Sequence, residues 1–322
     1  MISNRFTQRL KQISGRSEEI GFGTKATGQT ERQLNKDGSF NVICKGLPIH
    51  QRFVFFHYLV TASRLQFILI ILFSFLVVNS FFTLLYVLAG KDSLNGLEVY
   101  DGLMYYIEVF SLSAQSLTTL GYGRINPHGI FPNLVSNFES LLGLLSFALA
   151  TGLLYGRFSR PRARFIFSNC MVVAPFRDTT GLMFRVANRL NHQVTELQAQ
   201  VNFSILQDVN GNEVRKFYGL PLELNKVNFF PTSWTINHII DEKSPLNGLT
   251  SEDLIGGKAE FLILMHGFDE NFSQTVYIRY SYTYDEIRWG HKFTTMLGNP
   301  ENGKAVLHLD RISSTEAVVD LQ

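Results

Sequence analysis

The sequence predicts an α+β membrane protein in which two membrane-spanning helices precede a β-sandwich domain. Two long apolar stretches lie in the first half of the 322 residues, and apolar and polar residues alternate in the second half. The charged fraction of 17% is below the ~25% that is usual for soluble domains. The 28 Phe and 12 Tyr residues exclude a largely disordered chain. Two cysteines are too few for a disulfide framework, and a pI near 8.4 does not indicate nucleic-acid binding.

The two apolar stretches are long enough to cross a bilayer. Residues 65–90 contain no charged residue, and as a helix they would extend about 39 Å, which exceeds a hydrocarbon core of about 30 Å. Residues 134–158 contain one acid, Glu139, and several small residues that suit close helix packing. A buried helix of a soluble protein is the alternative, and the length disfavours it. The first 40 residues are polar, so no cleaved signal peptide is expected.

The distribution of charge predicts the orientation in the membrane. Residues 1–64 hold 10 basic and 4 acidic residues, whereas residues 91–133 hold 2 basic and 4 acidic residues. Basic residues favour the cytoplasmic side, so both termini are expected in the cytoplasm. The predicted segments are an N-terminal segment (1–48), an interfacial helix (49–64), an outer span (65–90), an extracytoplasmic turret, short helix and filter (91–133), an inner span (134–158) and a cytoplasmic domain (159–322).

The segment between the spans combines a short helix with a glycine-containing motif. Residues 101–118 are semi-apolar but too short to cross the bilayer, which favours a re-entrant pore helix. The motif TTLGYG follows at residues 118–123, and its glycines permit backbone conformations that other residues avoid. Consecutive carbonyl oxygens can then point to one side, and four copies around an axis would form oxygen rings able to replace the hydration shell of K⁺. A glycine-rich surface turn is the alternative. The predicted selectivity filter, and the only predicted metal site, comprises Thr119, Leu120, Gly121, Tyr122 and Gly123.

Several motifs between about residues 45 and 310 resemble those of the inward-rectifier potassium channels, in particular the bacterial branch of that family. They are TTLGYGR, GLLSFALATGLLYGRFSRPRARFIFS, FRVANRLNHQV, HIIDEKSPL and DEIRWGHKF. The resemblance implies a homotetramer, in which each chain has three identical subunits as partners, and passive conduction of K⁺ across the bacterial inner membrane. It also implies an immunoglobulin-like cytoplasmic domain, and no cofactor other than K⁺ ions in the filter.

The sequence departs from the family pattern at three positions. Leu120 stands where Val or Ile is usual, and this change leaves the coordinating carbonyl in place. Phe147 stands where strong animal rectifiers carry an acid in the inner helix, so at most weak block by Mg²⁺ or polyamines is expected. Gln115 stands where animal members have a glutamate behind the filter, and Glu139 is expected to replace it in part. We therefore predict that Gln115 and Glu139 support the filter.

Three residues of the inner span are candidates for lining the pore. Phe147, Thr151 and Tyr155 are spaced by four residues, so they share one face of the helix. If that face lines the pore, four Tyr155 side chains near the cytoplasmic end would close it by excluding water. Packing of this stripe against the outer span is the alternative. Gly143 and Gly152 are either hinges or points of close packing, and the sequence does not separate these two roles.

Basic residues are concentrated where the spans meet the cytoplasmic surface. Such clusters attract anionic lipid at about 1 kcal/mol per charge, although they also set the topology. The resemblance implies sensitivity to phosphoinositide or another anionic lipid. It also likens the aromatic residues 50–62 to the family's slide helix along the membrane, for which an ordinary amphipathic start of the first span is the alternative. The predicted lipid contacts are Arg52, Arg64, Arg157, Arg160, Arg162 and Arg164.

The second half of the chain has the pattern of half-buried strands. Apolar and polar residues alternate in ELQAQVNFSIL and QTVYIRYSYTYDEI. The pairs at 210–211 and 302–303 are Asn-Gly, a hairpin signal, and several short strands favour a β-sandwich. The resemblance places Glu196 in an acidic ring of the cytoplasmic pore. It also makes residues 266–273, with His266 and Phe268, an apical loop beside the ion path, for which a plain hairpin loop is the alternative.

No motif indicates catalysis, and we predict that the chain is not an enzyme. It lacks a GxGxxG after a strand, a GxxxxGK[ST] and an HExxH. His238, Asp241 and Glu242 are expected to make polar contacts at a strand end rather than to bind a metal. Two alternatives to a potassium channel stay open: a weakly selective cation channel of the same fold, and a non-conducting, membrane-anchored β-sandwich binding module.

Overall fold

The computed structural model describes residues 32–43, 45–46, 55–99, 101–159, 165–189, 194–209, 212–230 and 232–318. These residues form two compact units. The helical unit lies within residues 45–160, and the β-rich unit combines residues after 160 with the N-terminal segment up to residue 44. Each unit is described by itself.

The described residues of the helical unit form four α-helices, and two of them are long and apolar enough to cross a membrane. Ser63 and Gln66 form a capping box at the start of the first long helix, in which the Ser63 hydroxyl accepts the Gln66 N–H at 3.2 Å and the Gln66 side chain accepts the Ser63 N–H at 3.0 Å. The second long helix begins at Ile130, four residues before the predicted span. Pro132 does not prevent this earlier start, because proline is tolerated in the first turn of a helix. The helices are α1 (Phe55–Thr61), α2 (Arg64–Ala89), α3 (Gly102–Leu117) and α4 (Ile130–Phe158).

Helix α3 packs against both long helices. Two short antiparallel strands, β1 (Leu94–Asn95) and β2 (Asn126–Pro127), join the segments on either side of it. Apolar side chains from all three helices and from these segments form one buried cluster, so the position of α3 is fixed by packing on two sides. The cluster comprises Phe82, Tyr86, Leu94, Leu97, Tyr105, Val109, Leu112, Ile125 and Val135.

The β-rich unit is a sandwich of two five-stranded sheets. The strands are β3 (Phe165–Phe167), β4 (Met171–Phe176), β5 (Thr179–Asn188), β6 (Val194–Val209), β7 (Asn212–Leu220), β8 (Lys226–Phe229), β9 (Ser233–Ile240), β10 (Glu260–Asp269), β11 (Gln274–Thr283) and β12 (Ile287–Trp289). One sheet has the order β11-β10-β6-β7, and β8 also pairs with β6; the other has the order β12-β4-β5-β3, and β9 also pairs with β5. The pairs within these sheets are antiparallel except β4 with β12.

Apolar side chains at alternate positions of the strands form the core between the sheets. In β6 the side chains of Leu197, Ala199, Val201 and Phe203 are buried, and they belong to the cluster that also contains side chains of the facing sheet. A short helix, α5 (Ser251–Gly256), and a small ladder of β13 (His291–Phe293) with β14 (Thr315–Ala317) complete the unit. Asn302 and Gly303 both have positive φ, at 50° and 75°, between the paired residues Glu301 and Lys304. This is the tight turn that Asn-Gly favours, whereas residues 210–211 lie outside the described residues.

The described part of the N-terminal segment is bound to the sandwich by a buried carboxylate. Glu260 accepts the backbone N–H of Gln33 at 2.9 and 3.0 Å and that of Leu34 at 3.1 Å. Burial raises the pKa of Glu260, and these hydrogen bonds oppose the rise. Arg32 and Lys36 both pair with Glu286 at 2.5 Å. Residues 32–36 thus belong structurally to the β-rich unit, which the sequence did not indicate.

Candidate functional site

The backbone between α3 and α4 alternates in conformation. The φ angles of Thr119, Gly121 and Gly123 are 58°, 52° and 84°, and Leu120 and Tyr122 do not share the positive sign. A strand with uniform φ sends successive carbonyls to opposite sides, whereas alternation in the sign of φ turns them to the same side. Glycine adopts positive φ freely, but Thr119 does so at a cost, and such strain is concentrated at functional sites.

Backbone hydrogen bonds join the start of this segment to the end of α3. The Gln115 carbonyl accepts the N–H of Leu120 at 2.9 Å and that of Gly121 at 3.4 Å, and the Ser116 carbonyl accepts the Thr119 N–H at 3.1 Å. These are carbonyls of the last helical turn, which have no partner within the helix. A displacement of α3 is therefore transmitted directly to residues 119–121. Gln115 thus contacts residues 120 and 121 through its backbone carbonyl, whereas the prediction from the sequence concerned its side chain.

The other end of the segment is held by Arg124. Its guanidinium lies 2.8 Å from a carboxylate oxygen of Glu98 and 2.8 Å from one of Glu108. Glu108 also accepts the N–H of Glu98 at 3.1 Å and that of Val99 at 3.3 Å. The hydrogen bond to Glu108 raises the pKa of Arg124. The ion pairs of Arg124 with Glu98 and Glu108 were not predicted from the sequence. The available signal was a single arginine directly after GYG in an otherwise acidic segment.

Gly143 lets α4 approach the end of α3. A Cβ atom at this position would lie 1.9 Å from the Leu117 carbonyl oxygen and 2.7 Å from its carbonyl carbon. One at Gly152 would have no neighbour within 4 Å among the residues that the structure describes. The structure thus separates the two glycines within the chain: Gly143 is a point of close packing, and Gly152 is not. Beside Gly143, the Ser140 hydroxyl donates to the Ser116 carbonyl at 3.4 Å.

Glu139 lies in a buried polar cluster between α2, α3 and α4. Its carboxyl oxygens are 2.5 Å from the Ser113 hydroxyl and 2.7 Å from the Tyr86 hydroxyl. The Ser113 hydroxyl is also 3.1 Å from the side-chain oxygen of Asn79. Sequence reasoning found Glu139 but missed Asn79, Tyr86 and Ser113. An amide in an otherwise apolar span was the available signal for Asn79.

Phe147, Thr151 and Tyr155 share an exposed sector of α4. The side chains of Phe147 and Tyr155 are both 74% exposed in the single chain, and the Thr151 hydroxyl donates to the Phe147 carbonyl at 2.9 Å. A step of four residues advances about 40° around the helix axis, so these three residues span about 80°. In the described structure they do not form part of the buried contact with α2.

The predicted lipid-binding arginines fall into three groups. Arg157 donates to the carbonyls of Leu59 at 2.6 Å and Ala62 at 2.8 Å, and its guanidinium lies 4.4 Å from the centre of the Phe67 ring. These are carbonyls at the end of α1, where a cation is favourable. Arg64 is exposed at the start of α2. The remaining four lie outside the described residues, and they are Arg52, Arg160, Arg162 and Arg164.

The three predicted cytoplasmic-pore residues meet at a β-bulge. His266 and Phe268, expected in a loop, instead lie on β10, because this strand pairs with β11 as far as Asp269 and leaves only residues 270–273 for the loop. In the pairing of β6 with β10, His266 faces Gln198 and Phe268 faces Thr195, so Glu196 lies in the irregularity between them. Glu196 has a φ of 52° and an exposed side chain that pairs with Lys226 at 3.1 Å. The sequence argument did not include Lys226, which partly offsets this charge. His266 stacks on Tyr277, with ring centres 5.6 Å apart.

His238 makes structural contacts. One ring nitrogen is 2.6 Å from the Pro221 carbonyl oxygen and the other is 2.7 Å from the Ser244 hydroxyl. Burial lowers the pKa of His238, which suits a neutral imidazole that donates to the carbonyl and accepts from the hydroxyl. In the described part of the chain, no three His, Cys, Asp or Glu residues are grouped to hold a metal ion.

Comparisons with known proteins point to one family. The family model described as the inward rectifier potassium channel C-terminal domain matches residues 165–321. The inward rectifier potassium channel Kirbac3.1 of Paramagnetospirillum magnetotacticum is 35% identical over 294 residues, which are 90% of this chain and 97% of that protein. The G protein-activated inward rectifier potassium channel 4 of Homo sapiens is 26% identical over 215 residues, which are 61% of this chain and 49% of that protein.

The comparisons confirm the predicted class of protein and agree with the predicted order of spans and β-sandwich. The similar proteins are ion channels, so the prediction that the chain is not an enzyme is confirmed. The two apolar helices and the β-rich second half agree with spans followed by a β-sandwich. Because a bacterial relative matches at 35% identity over nearly its whole length, this chain belongs to the inward rectifier potassium channel family.

Proposed function

We propose that the chain forms a homotetrameric, K⁺-selective channel of the bacterial inner membrane, with α2 and α4 as its spans and both termini in the cytoplasm. The observation that carries this proposal is the alternating sign of φ at residues 119–123. Carbonyl oxygens aligned on one side can replace the water around K⁺. The ligands are the carbonyls of residues 119–122 and the Thr119 hydroxyl, and α3 is the pore helix.

Assembly into a tetramer follows from the chemistry of this segment. One chain supplies a quarter of each oxygen ring. Residues 118–124 are exposed in the single chain, and non-helical backbone at membrane depth requires cover by protein or a water-filled cavity. Three further subunits supply both the missing oxygens and the cover. The segment boundaries predicted from the sequence are part of this proposal, with an interfacial helix before residue 65 and a cytoplasmic domain after residue 158.

The proposed ion path continues along α4 and through the cytoplasmic domain. Phe147 and Thr151 line the cavity below the filter, and Tyr155 forms the gate. Glu196, His266 and Phe268 border the cytoplasmic vestibule. Block by Mg²⁺ or polyamines is weak, because Phe147 carries no charge and Lys226 offsets Glu196.

Anionic lipid, for example a phosphoinositide, is the proposed modulator. The arginines differ in how freely their guanidinium groups can bind a lipid phosphate. Arg157 has its guanidinium engaged by α1 and Phe67, so a lipid phosphate would have to displace these partners. Arg64 is exposed and can meet a phosphate at no such cost. Arg52, Arg160, Arg162 and Arg164 complete the proposed set. Arg157 joins the end of α1 to α4 two residues after the proposed gate, so a lipid that competes for it would act on the gate.

Uptake of Rb⁺ into K⁺-loaded liposomes tests the proposed function. The purified tetramer is expected to accumulate Rb⁺ and to lose this activity when barium is added, because both cations bind at the oxygen rings. Liposomes with and without anionic lipid measure the sign of lipid control. No uptake by a clean tetramer, either as wild type or as the Tyr155→Ala variant, would contradict the proposal.

Truncation of the gate should accelerate uptake. In Tyr155→Ala the ring of four phenol groups is replaced by methyl groups, so water and ions pass the constriction more easily, and Rb⁺ uptake should be several-fold faster than in wild type. Leu149→Ala is the matched control, because Leu149 is also exposed on α4 but lies about 120° from Tyr155 around the axis. Equal acceleration by both variants, or by neither, would remove Tyr155 from the gate.

A further inference from the structure

The buried polar cluster of Asn79, Tyr86, Ser113 and Glu139 connects three helices. Asn79 and Tyr86 lie on α2, Ser113 on α3 and Glu139 on α4. The side chains of Asn79, Ser113 and Glu139 have 0% exposure in the single chain. Neither lipid nor a neighbouring subunit therefore reaches Glu139, and its hydrogen-bond partners can be counted within one chain.

Glu139 has no cationic partner among the described residues, in which no ion pair includes it. Its hydrogen-bond partners are two hydroxyl groups, from Tyr86 on α2 and Ser113 on α3. Tyr86 is the titratable group that faces it, and it is neutral at ordinary pH. An ionised carboxylate buried without a cation is costly.

Counting donors shows which proton arrangement satisfies the cluster. A serine hydroxyl has one proton to donate. If Ser113 donates to an ionised Glu139, the side-chain oxygen of Asn79, 3.1 Å away, loses that donor while it is fully buried. If Glu139 carries a proton, it donates to Ser113, Ser113 donates to the side-chain oxygen of Asn79, and Tyr86 donates to the other Glu139 oxygen. The Asn79 backbone carbonyl, 3.2 Å from the Ser113 hydroxyl, already accepts the Thr83 hydroxyl at 2.7 Å. Every one of these polar groups then has a partner.

We propose that Glu139 is held as a neutral carboxylic acid, and that Asn79, Ser113 and Glu139 form a hydrogen-bond relay that positions the pore helix for ion selection. The inference rests on the proposed function, because it names the protonation state and the partners of its filter support. The three residues are positioning residues, since none of them contacts the ion.

The path from this relay to the filter is short and continuous. On α4, Glu139 contacts Ser113, Ser140 contacts the Ser116 carbonyl, and Gly143 packs on Leu117. These contacts hold the last turns of α3. The same part of α3 carries the Gln115 carbonyl that accepts the N–H groups of residues 120 and 121, so a change in the relay tilts the filter backbone.

The test compares Glu139→Gln with Ser113→Ala. A glutamine amide can donate to Ser113 and accept from Tyr86, as the neutral acid does, so Glu139→Gln should keep barium-sensitive Rb⁺ uptake and exclude Na⁺. Ser113→Ala removes the middle of the relay with little change in volume, so its tetramer should admit Na⁺. Glu213→Gln is the matched control, because Glu213 is exposed on β7 of the β-rich unit and belongs neither to the relay nor to the Arg124 contacts.

A spectroscopic readout reports the proton itself. At neutral pH the carbonyl-stretch absorption of protonated carboxyl groups should be weaker in Glu139→Gln than in wild type, and unchanged in Glu213→Gln. Equal absorption in all three proteins, or entry of Na⁺ into Glu139→Gln to the same extent as into Ser113→Ala, would overturn the inference. Absence of barium-sensitive uptake in wild type and in Tyr155→Ala would instead overturn the proposed function, and the infrared result would still decide the protonation state.

Discussion

Replacement of Gly121 by aspartate is expected to abolish barium-sensitive Rb⁺ uptake. Gly121 has a φ of 52° and precedes Tyr122 in the alternating segment. A side chain at this conformation costs free energy and disturbs the direction of the carbonyl groups. In a tetramer the substitution also adds four carboxylates next to the oxygen rings, where they would hold cations too tightly for conduction, since ions must leave as readily as they enter.

The matched control for this variant is Gly303→Asp. Gly303 also has a positive φ, of 75°, and an added Cβ there would meet no atom within 4 Å. The control therefore carries the same substitution at a similar backbone conformation, in the β-rich unit. It should conduct normally. Normal uptake by a tetrameric Gly121→Asp variant would show that ions do not pass through residues 119–123.

Addition of a single methyl group at Gly143 is expected to abolish conduction as well. The new Cβ would lie 1.9 Å from the Leu117 carbonyl oxygen. This atom belongs to the backbone, so the clash cannot be relieved by a change of side-chain rotamer. Overpacking of this kind costs about 1–3 kcal/mol at an ordinary core site, and it occurs here in each subunit. Helix α3 must move away from α4, and the filter backbone held by Gln115 moves with it. Rb⁺ uptake and the thermal stability of the tetramer measure the two consequences.

Gly152→Ala separates close packing from a general intolerance of α4 to alanine. An added Cβ at Gly152 has no neighbour within 4 Å in the described part of the chain, and alanine favours a helix more than glycine does. This variant should therefore keep its tetramer stability. Loss of uptake in Gly152→Ala alone would indicate a hinge at that position. Normal uptake and stability in Gly143→Ala would contradict the packing argument.

The parts of the fold that were predictable from the sequence are those with local signals. The uncharged run at residues 65–90 can be read as a span without knowledge of its neighbours. Period-two alternation in β6 reflects burial of one face, and Asn302-Gly303 specifies its turn through its own backbone preferences. The family motifs extended these local predictions to the order of the whole chain.

The candidate site was predictable only in part, because its contacts join distant residues. Gly143 and Gly152 look alike in the sequence, and only the proximity of Leu117 distinguishes them. Glu139 stood out as an acid in an apolar span, but its partners Tyr86 and Ser113 are 53 and 26 residues away. Arg157 looked like a lipid contact, although its donors meet carbonyls 98 and 95 residues earlier.

In the proposed function, K⁺ passes selectively through the oxygens of residues 119–123. The most direct test is the reversal potential of the purified tetramer in a planar bilayer with K⁺ high on one side and Na⁺ high on the other. The same measurement on Tyr155→Ala avoids dependence on the gate. A reversal potential that follows the K⁺ gradient is expected in both proteins. A current that reverses near zero voltage would contradict it, and would identify a weakly selective cation channel of the same fold.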